Sequence, residues 1–176
     1  MTMTEHWNKL IELFGTNDGS LPDIELNNLS GEEVILGYEI IRNSAKFICS
    51  TDPYYWSISQ DKAIAIHFED NPASKVVSGK AQSFHLCFDG IESPSGKTIP
   101  VLGLFVYPDG LSFDYRMGSE WNLEAIEGLF ELIYCLSQNF KDMKLAHQGN
   151  IYDYPNGRIL CSAWSAYKNM RQTSSR

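Results

Sequence analysis

Between residues 62 and 117 the chain repeatedly sets apolar side chains at every second position, and this two-residue period constrains the fold more than any other feature. Successive side chains of a strand point to opposite faces, so such a segment builds a half-buried strand. Ile64, Ile66 and Phe68 oppose Ala63, Ala65 and His67. Phe84, Leu86 and Phe88 oppose Ser83, His85 and Cys87, and Leu111, Phe113, Tyr115 and Met117 oppose Ser112, Asp114 and Arg116. The segment from Thr98 to Tyr107 is apolar on both faces, which predicts a central strand covered on both sides. Tyr107-Pro108-Asp109-Gly110 has the residues of a tight turn, with Gly110 expected at positive φ. The predicted sheet is therefore a mostly antiparallel meander over 62–68, 82–88, 98–107 and 111–117. A similar turn, Tyr154-Pro155-Asn156-Gly157, predicts a C-terminal hairpin with Arg158–Tyr167 as its returning strand.

Three segments carry the helical period instead. Trp7, Leu10, Ile11 and Phe14 share one face of a helix over 4–14. Ser30-Gly31-Glu32-Glu33 is a capping box, in which the serine oxygen takes a free backbone N–H and Glu33 reaches back. It opens a helix over 30–45 with Val34, Tyr38 and Ile41 inward. Leu123, Ile126, Leu129, Phe130, Ile133 and Leu136 stripe a third helix over 122–139. The fold class is α+β, a single domain over 1–167 followed by a polar basic tail over 168–176 that has little to bury.

Composition narrows the function. The 176 residues carry a net charge of -8, against a nucleic-acid binder, which needs clustered Lys and Arg to displace counterions. No run of 18 apolar residues is present to span a membrane. The N-terminus lacks the charged, apolar and cleavage-site pattern of a signal peptide, so a cytoplasmic location is expected. Cys49, Cys87, Cys135 and Cys161 are widely spaced among large apolar neighbours, which reads as reduced, mostly buried structural thiols.

Catalytic patterns fail one by one. Ser95-Gly96-Lys97-Thr98 has the end of a phosphate-binding loop, but Ile91 stands where the glycine belongs, and a strand rather than a helix follows. His85-Leu86-Cys87 supplies two ligands where zinc takes three or four, and a cysteine nucleophile needs its base within hydrogen-bond reach. No metal site and no cofactor is expected, and enzymatic activity is not.

Two surfaces remain as candidates. The polar face of the meander gathers His67, His85, Cys87, Asp114 and Arg116 over small residues, room for a ligand. Tyr54-Tyr55-Trp56 is a dense aromatic run that fits either a core strand with Tyr54 and Trp56 inward or an interface anchor. Residues 1–39 hold eight acidic residues, Glu25, Glu32 and Glu33 among them, against Lys9 alone. That charge suits solvated helix faces, and it also suits a basic partner.

Small size, acidity, an α+β pattern and no catalytic signature resemble bacterial immunity proteins in type, with no motif behind the likeness. The reading is a soluble acidic protein-binding domain, an immunity-type inhibitor of a protein with a basic surface, its oligomeric state open. The alternative is a small-molecule binder or enzyme using His67, His85, Asp114 and Arg116.

Overall fold

The computed structural model describes residues 1–148, 153 and 156–174. In chain order its elements are α1 (Met3–Gly15), β1 (Asp23–Asn27), α2 (Gly31–Ser44), β2 (Phe47–Ile48), β3 (Tyr54–Ser57), β4 (Lys62–Ala65), α3 (Ala73–Val77), β5 (Phe84–Asp89), β6 (Ile91–Glu92), β7 (Thr98–Ile99), β8 (Leu102–Tyr107), β9 (Gly110–Tyr115), α4 (Leu123–Asn139), β10 (Lys144–Gln148) and α5 (Arg158–Ser174).

The caps explain where the helices begin. Ser30 Oγ accepts from Glu33 N, and Glu33 Oε2 accepts from Ser30 N at 2.8 Å, so the capping box is formed. Thr2 and Glu5 close the same box on α1, and Asn122 Oδ1 accepts from Ala125 N to open α4. The α+β class and the antiparallel sheet follow the sequence pattern.

Six strands form the main sheet in the order β10-β1-β9-β8-β5-β2, every neighbouring pair antiparallel. One face is core: Ile24, Leu26, Leu86, Phe88, Leu104, Val106 and Phe113 are all fully buried. Leu10, Phe14, Tyr38, Ile41, Leu129 and Ile133 of α1, α2 and α4 join them in one cluster. At one end of it, His147 of β10 is 4% exposed and hydrogen-bonds through Nε2 with the Tyr115 hydroxyl at 2.9 Å. Phe14 stacks on Tyr115 at 4.4 Å between ring centroids. Among the described residues His147 Nδ1 has no hydrogen-bond partner; Asp153 Oδ2 lies 3.7 Å away, and that carboxylate accepts from Ile159 N in the first turn of α5.

Several sequence expectations give way. The meander loses its first strand: Lys62–Ala65 pairs with Tyr54–Ser57 in a separate two-stranded flap. The chain turns at His67, whose N–H donates to Asp70 Oδ2 at 2.8 Å, so a local side-chain bond replaces a ladder bond. Pro100 has no N–H to give, and the predicted 98–107 strand breaks there. Its start, β7, pairs with β6 in a small ribbon while β8 enters the main sheet. Glu131 of α4 pins that ribbon by accepting from Ser93 Oγ at 2.6 Å, Ser95 Oγ at 2.5 Å and Lys97 Nζ.

The hairpin at Pro108-Asp109 is present, with Tyr107 opposite Gly110. Gly110 is not at positive φ, because Pro108 holds the turn to negative φ and excludes the primed types. Gly110 serves instead in close approach: a Cβ there would stand 3.0 Å from the Leu26 carbonyl of β1.

The expected C-terminal hairpin is replaced by β10 and α5. Leu160, Ala163, Trp164 and Tyr167, all buried, fall at i, i+3, i+4 and i+7, a helical stripe. Tyr154-Pro155 of the predicted turn lies outside the described residues. The division at residue 168 falls inside α5, and the expected loose tail is helical to Ser174. Two of its cations lie over aromatic rings: Lys168 Nζ is 5.6 Å from the Trp164 centroid and Arg171 Cζ is 5.2 Å from that of Tyr134. The cysteines are free, as expected, but Cys49 is exposed and the other three are half-buried. Cys49 sits where the edge strand ends, and Cys87 faces away from the core.

Candidate functional site on the open sheet face

Alternation sends the other half of each strand to the far face of the sheet. Along β5 the burial runs strictly core, half-buried, core, and the half-buried residues are His85, Cys87 and Asp89. Register places Cys87 beside Gly103, Gly103 beside Asp114, and Asp114 beside Asp23. The next row runs His85, Phe105, Ser112, Glu25. The far face is therefore built from carboxylates, aromatic rings and small residues.

Gly103 permits the tightest contact in this face. A side chain there would collide with the Asp114 carboxylate and the His85 imidazole, which meet above it. His85 Nε2 lies 2.8 Å from Asp114 Oδ2, with the ring nitrogen out of line for a hydrogen bond. The His85 ring lies against Phe105 at 4.2 Å, and Phe105 stacks with Tyr107 at 6.0 Å.

Two concavities open on either side of His85. One, of about 330 Å³, is lined by His85, Cys87, Gly103, Asp114, Arg116 and Glu120, among others. Four of the five residues expected on a polar sheet face thus converge. His67 does not join them; it is exposed, in the turn after the flap, and lines neither concavity. The other, a groove of about 590 Å³, runs between the flap and the sheet, with Tyr54, Trp56, His85, Phe105 and Tyr107 in its walls.

The flap corrects the core reading of the aromatic run. Tyr54 is 56% exposed and Trp56 38%, while Tyr55 is the half-buried member packed against the core. β8 is likewise covered on one face only, which leaves Phe105 half-buried and Tyr107 exposed as aromatic floor.

Carboxylates cluster in the middle of this face. Burial raises the pKa of Asp23, and the neighbouring Asp114 and Glu25 raise it further, while His85 opposes them. Tyr107 is raised too, by burial and then by Asp23 and Glu25. Glu25 Oε1 accepts from Gln148 Nε2 at 3.1 Å. Burial also lifts the Cys87 thiol, which disfavours its thiolate at neutral pH.

Glu32 and Glu33 stand apart from the aromatic groove, at the start of α2, which packs on the core face. Glu32 is exposed, but Glu33 is committed to the fold: it caps α2 and accepts from Lys141 N at 2.6 Å, bonds that lower its pKa. Asp23, Gly103, Phe105 and Tyr107 were not read from the sequence as site residues. For the last three the signal was the parity of positions 103, 105 and 107, hidden because apolar residues occupy both parities of that segment.

Among the described residues, no group of three His, Cys, Asp or Glu is placed to hold a metal ion, and no helix is long and apolar enough to cross a membrane.

No family model matches the chain, and no curated protein matches it. Among solved structures, it is similar to a chain of the crystal structure of the toxic C-terminal tip of CdiA from Pseudomonas aeruginosa in complex with immune protein. The TM-score is 0.50 at 12% identity, over 74% of this chain and 86% of that one. A likeness at that identity is a likeness of fold.

Proposed function

We propose that this chain is a cytoplasmic protein-binding module of the immunity type, which docks a basic partner protein on its open sheet face. The observation that carries the reading is the makeup of that face: Asp23, Glu25 and Asp114 share it with Phe105 and Tyr107, and the flap brings exposed Tyr54 and Trp56 alongside. Carboxylates steer and register a basic surface, and aromatic rings in a concave setting supply anchors. The fold likeness to a chain from a toxin–immune protein complex supports the same reading.

The test begins with capture of partners from the source cells at about 0.1 M and about 1 M salt, between which the screening length falls from ~10 to ~3 Å. The partner is then purified and its affinity measured by calorimetry. Glu25→Lys and Tyr107→Ala should each weaken binding about tenfold or more, while Glu32→Lys, on the other side, should leave it unchanged. Equal affinity across all three would remove the reading.

A second reading has its own observation. His85, Cys87, Asp114 and Arg116 line a concavity of about 330 Å³, within the ~300–1,000 Å³ range of small-molecule sites. A small ligand there would meet Arg116 together with the carboxylates of Asp114 and Glu120. Fragment screening by NMR, with shifts at His85 lost in Arg116→Ala, would favour it over protein docking.

A further inference from the structure

The register of the sheet edge sets two cysteines face to face. Phe47 pairs with Asp89 and Ile48 with Phe88. One step on, Cys49 N donates to Cys87 O at 2.9 Å. Opposed residues of an antiparallel pair point to the same side, with Cα atoms about 4.5–5.5 Å apart. Disulfides span about 4.4–6.8 Å between Cα atoms. Reagents can reach the two thiols, since Cys49 is exposed and Cys87 lines the smaller concavity. Cys161 is placed differently, its thiol directed at the Leu145 carbonyl at 3.8 Å, and Cys135 lies on α4.

We propose that Cys49 and Cys87 are a modification site, closing to a reversible disulfide when the protein meets a low-molecular-weight disulfide such as oxidised glutathione. The thiolate of Cys49, the more exposed, attacks one sulfur of the small disulfide. That forms a mixed disulfide and expels one small thiolate. The Cys87 thiolate then attacks the Cys49 sulfur, forming the protein bond and expelling the second. Two protein thiols are oxidised, one small disulfide is reduced to two thiols, and the protons released by the protein end on those thiols.

The bond would act on the groove. Ser50, Thr51, Asp52 and Pro53 connect Cys49 directly to the flap, and all four line the groove with Tyr54 and Trp56. In the reduced protein Cys87 N donates to Ser50 Oγ at 2.6 Å and Ile66 N, where the flap ends, to Pro53 O at 2.8 Å, while Gln82 N donates to Trp56 O at 3.0 Å on the flap's other side. A covalent tie at Cys49 fixes the sheet end of the segment that leads to the flap's aromatic side chains.

The experiment treats the whole protein with oxidised glutathione at about pH 8.5, where thiols are partly ionised. Free thiols are counted after denaturation and peptides mapped by mass spectrometry. The four thiols of the reduced chain should fall to two, with one peptide pair joined through Cys49 and Cys87, and dithiothreitol should restore all four. Cys87→Ser should instead hold glutathione on Cys49. The Cys135→Ser/Cys161→Ser double variant keeps the pair and should lose every free thiol. Proteolysis within residues 50–61 should slow in the oxidised protein. Four thiols surviving, glutathione adducts without the joined peptide, or a bond involving Cys135 or Cys161 would each overturn the assignment.

Discussion

Lowering the pH from about 7 to about 5 should destabilise the protein by roughly 2 kcal/mol through one side chain, His147. Its ring is buried beside Phe14 and Tyr115, and burial pushes its pKa from 6.5 down to about 4. Asp153, near Nδ1, pulls the other way without offsetting the burial. In the unfolded chain the imidazole takes up its proton as pH falls through about 6.5, whereas the folded chain resists until about 4. Stability is therefore whole above about 6.5 and drains as pH falls toward 4. At roughly 1.4 kcal/mol per pKa unit the full loss is on the order of 3 kcal/mol, most of it reached by about pH 5. Urea unfolding followed by tryptophan fluorescence at a series of pH values measures this. His147→Gln retains a partner for the Tyr115 hydroxyl but cannot titrate, so its stability should change by about 2 kcal/mol less than wild type across that interval. His6, also lowered by burial, is present in both proteins and cancels in the difference. Parallel pH profiles for the two proteins would refute the reasoning.

Gly103→Ala places a methyl group on the Asp114 carboxylate and the His85 ring; it should cost about 1–3 kcal/mol by overpacking and shift the His85 imidazole resonances. Glu131→Gln weakens the charged bonds from Ser93, Ser95 and Lys97, and should destabilise by about 1–3 kcal/mol in urea unfolding. In wild type those bonds hold the Glu131 pKa at about 2, so this contribution is full above about 4.5 and lost as pH falls toward 2. Trp56→Ala removes an outward ring and should change thermal stability little, by less than about 1 kcal/mol, while weakening partner binding in calorimetry.

The elements that the sequence revealed are those whose local chemistry and tertiary place agree. Ser30 and Glu33 make the same cap in isolation and in the fold. The parity of Phe84, Leu86 and Phe88 survives because β5 lies in the sheet with one face on the core. Parity does not say which sheet a strand joins, and that is why His67 was grouped with His85. Ile64 and Ile66 alternate like sheet residues, but the partner of their strand is the neighbouring Tyr54–Ser57 segment. β1 has only Ile24 and Leu26 to signal it, too short a pattern to separate from a loop. In α5 the turn chemistry of Asn156-Gly157 outweighed a helical stripe that was in plain view at Leu160, Ala163, Trp164 and Tyr167. For the site, convergence of His85, Cys87, Asp114 and Arg116 followed from parity alone. The contribution of Gly103 did not, because a missing side chain leaves no mark in a pattern of side chains.

The position of β1 also sets an order of events in time. Asp23 pairs with Asp114 on one side and with Gln148 on the other, so both neighbours of this strand are made long after it. During synthesis the N-terminal segment, which carries most of the net negative charge, leaves the ribosome with nothing to pair with. Threading Ile24 and Leu26 between β9 and β10 requires closing loops of about ninety residues and more, a slow step for any chain rich in distant contacts. The β8–β9 hairpin, by contrast, can close as soon as it emerges. Assembly then runs from the middle of the chain outward, and a nascent chain stopped before Lys144 would present β1 as a bare edge, open to pairing with another copy.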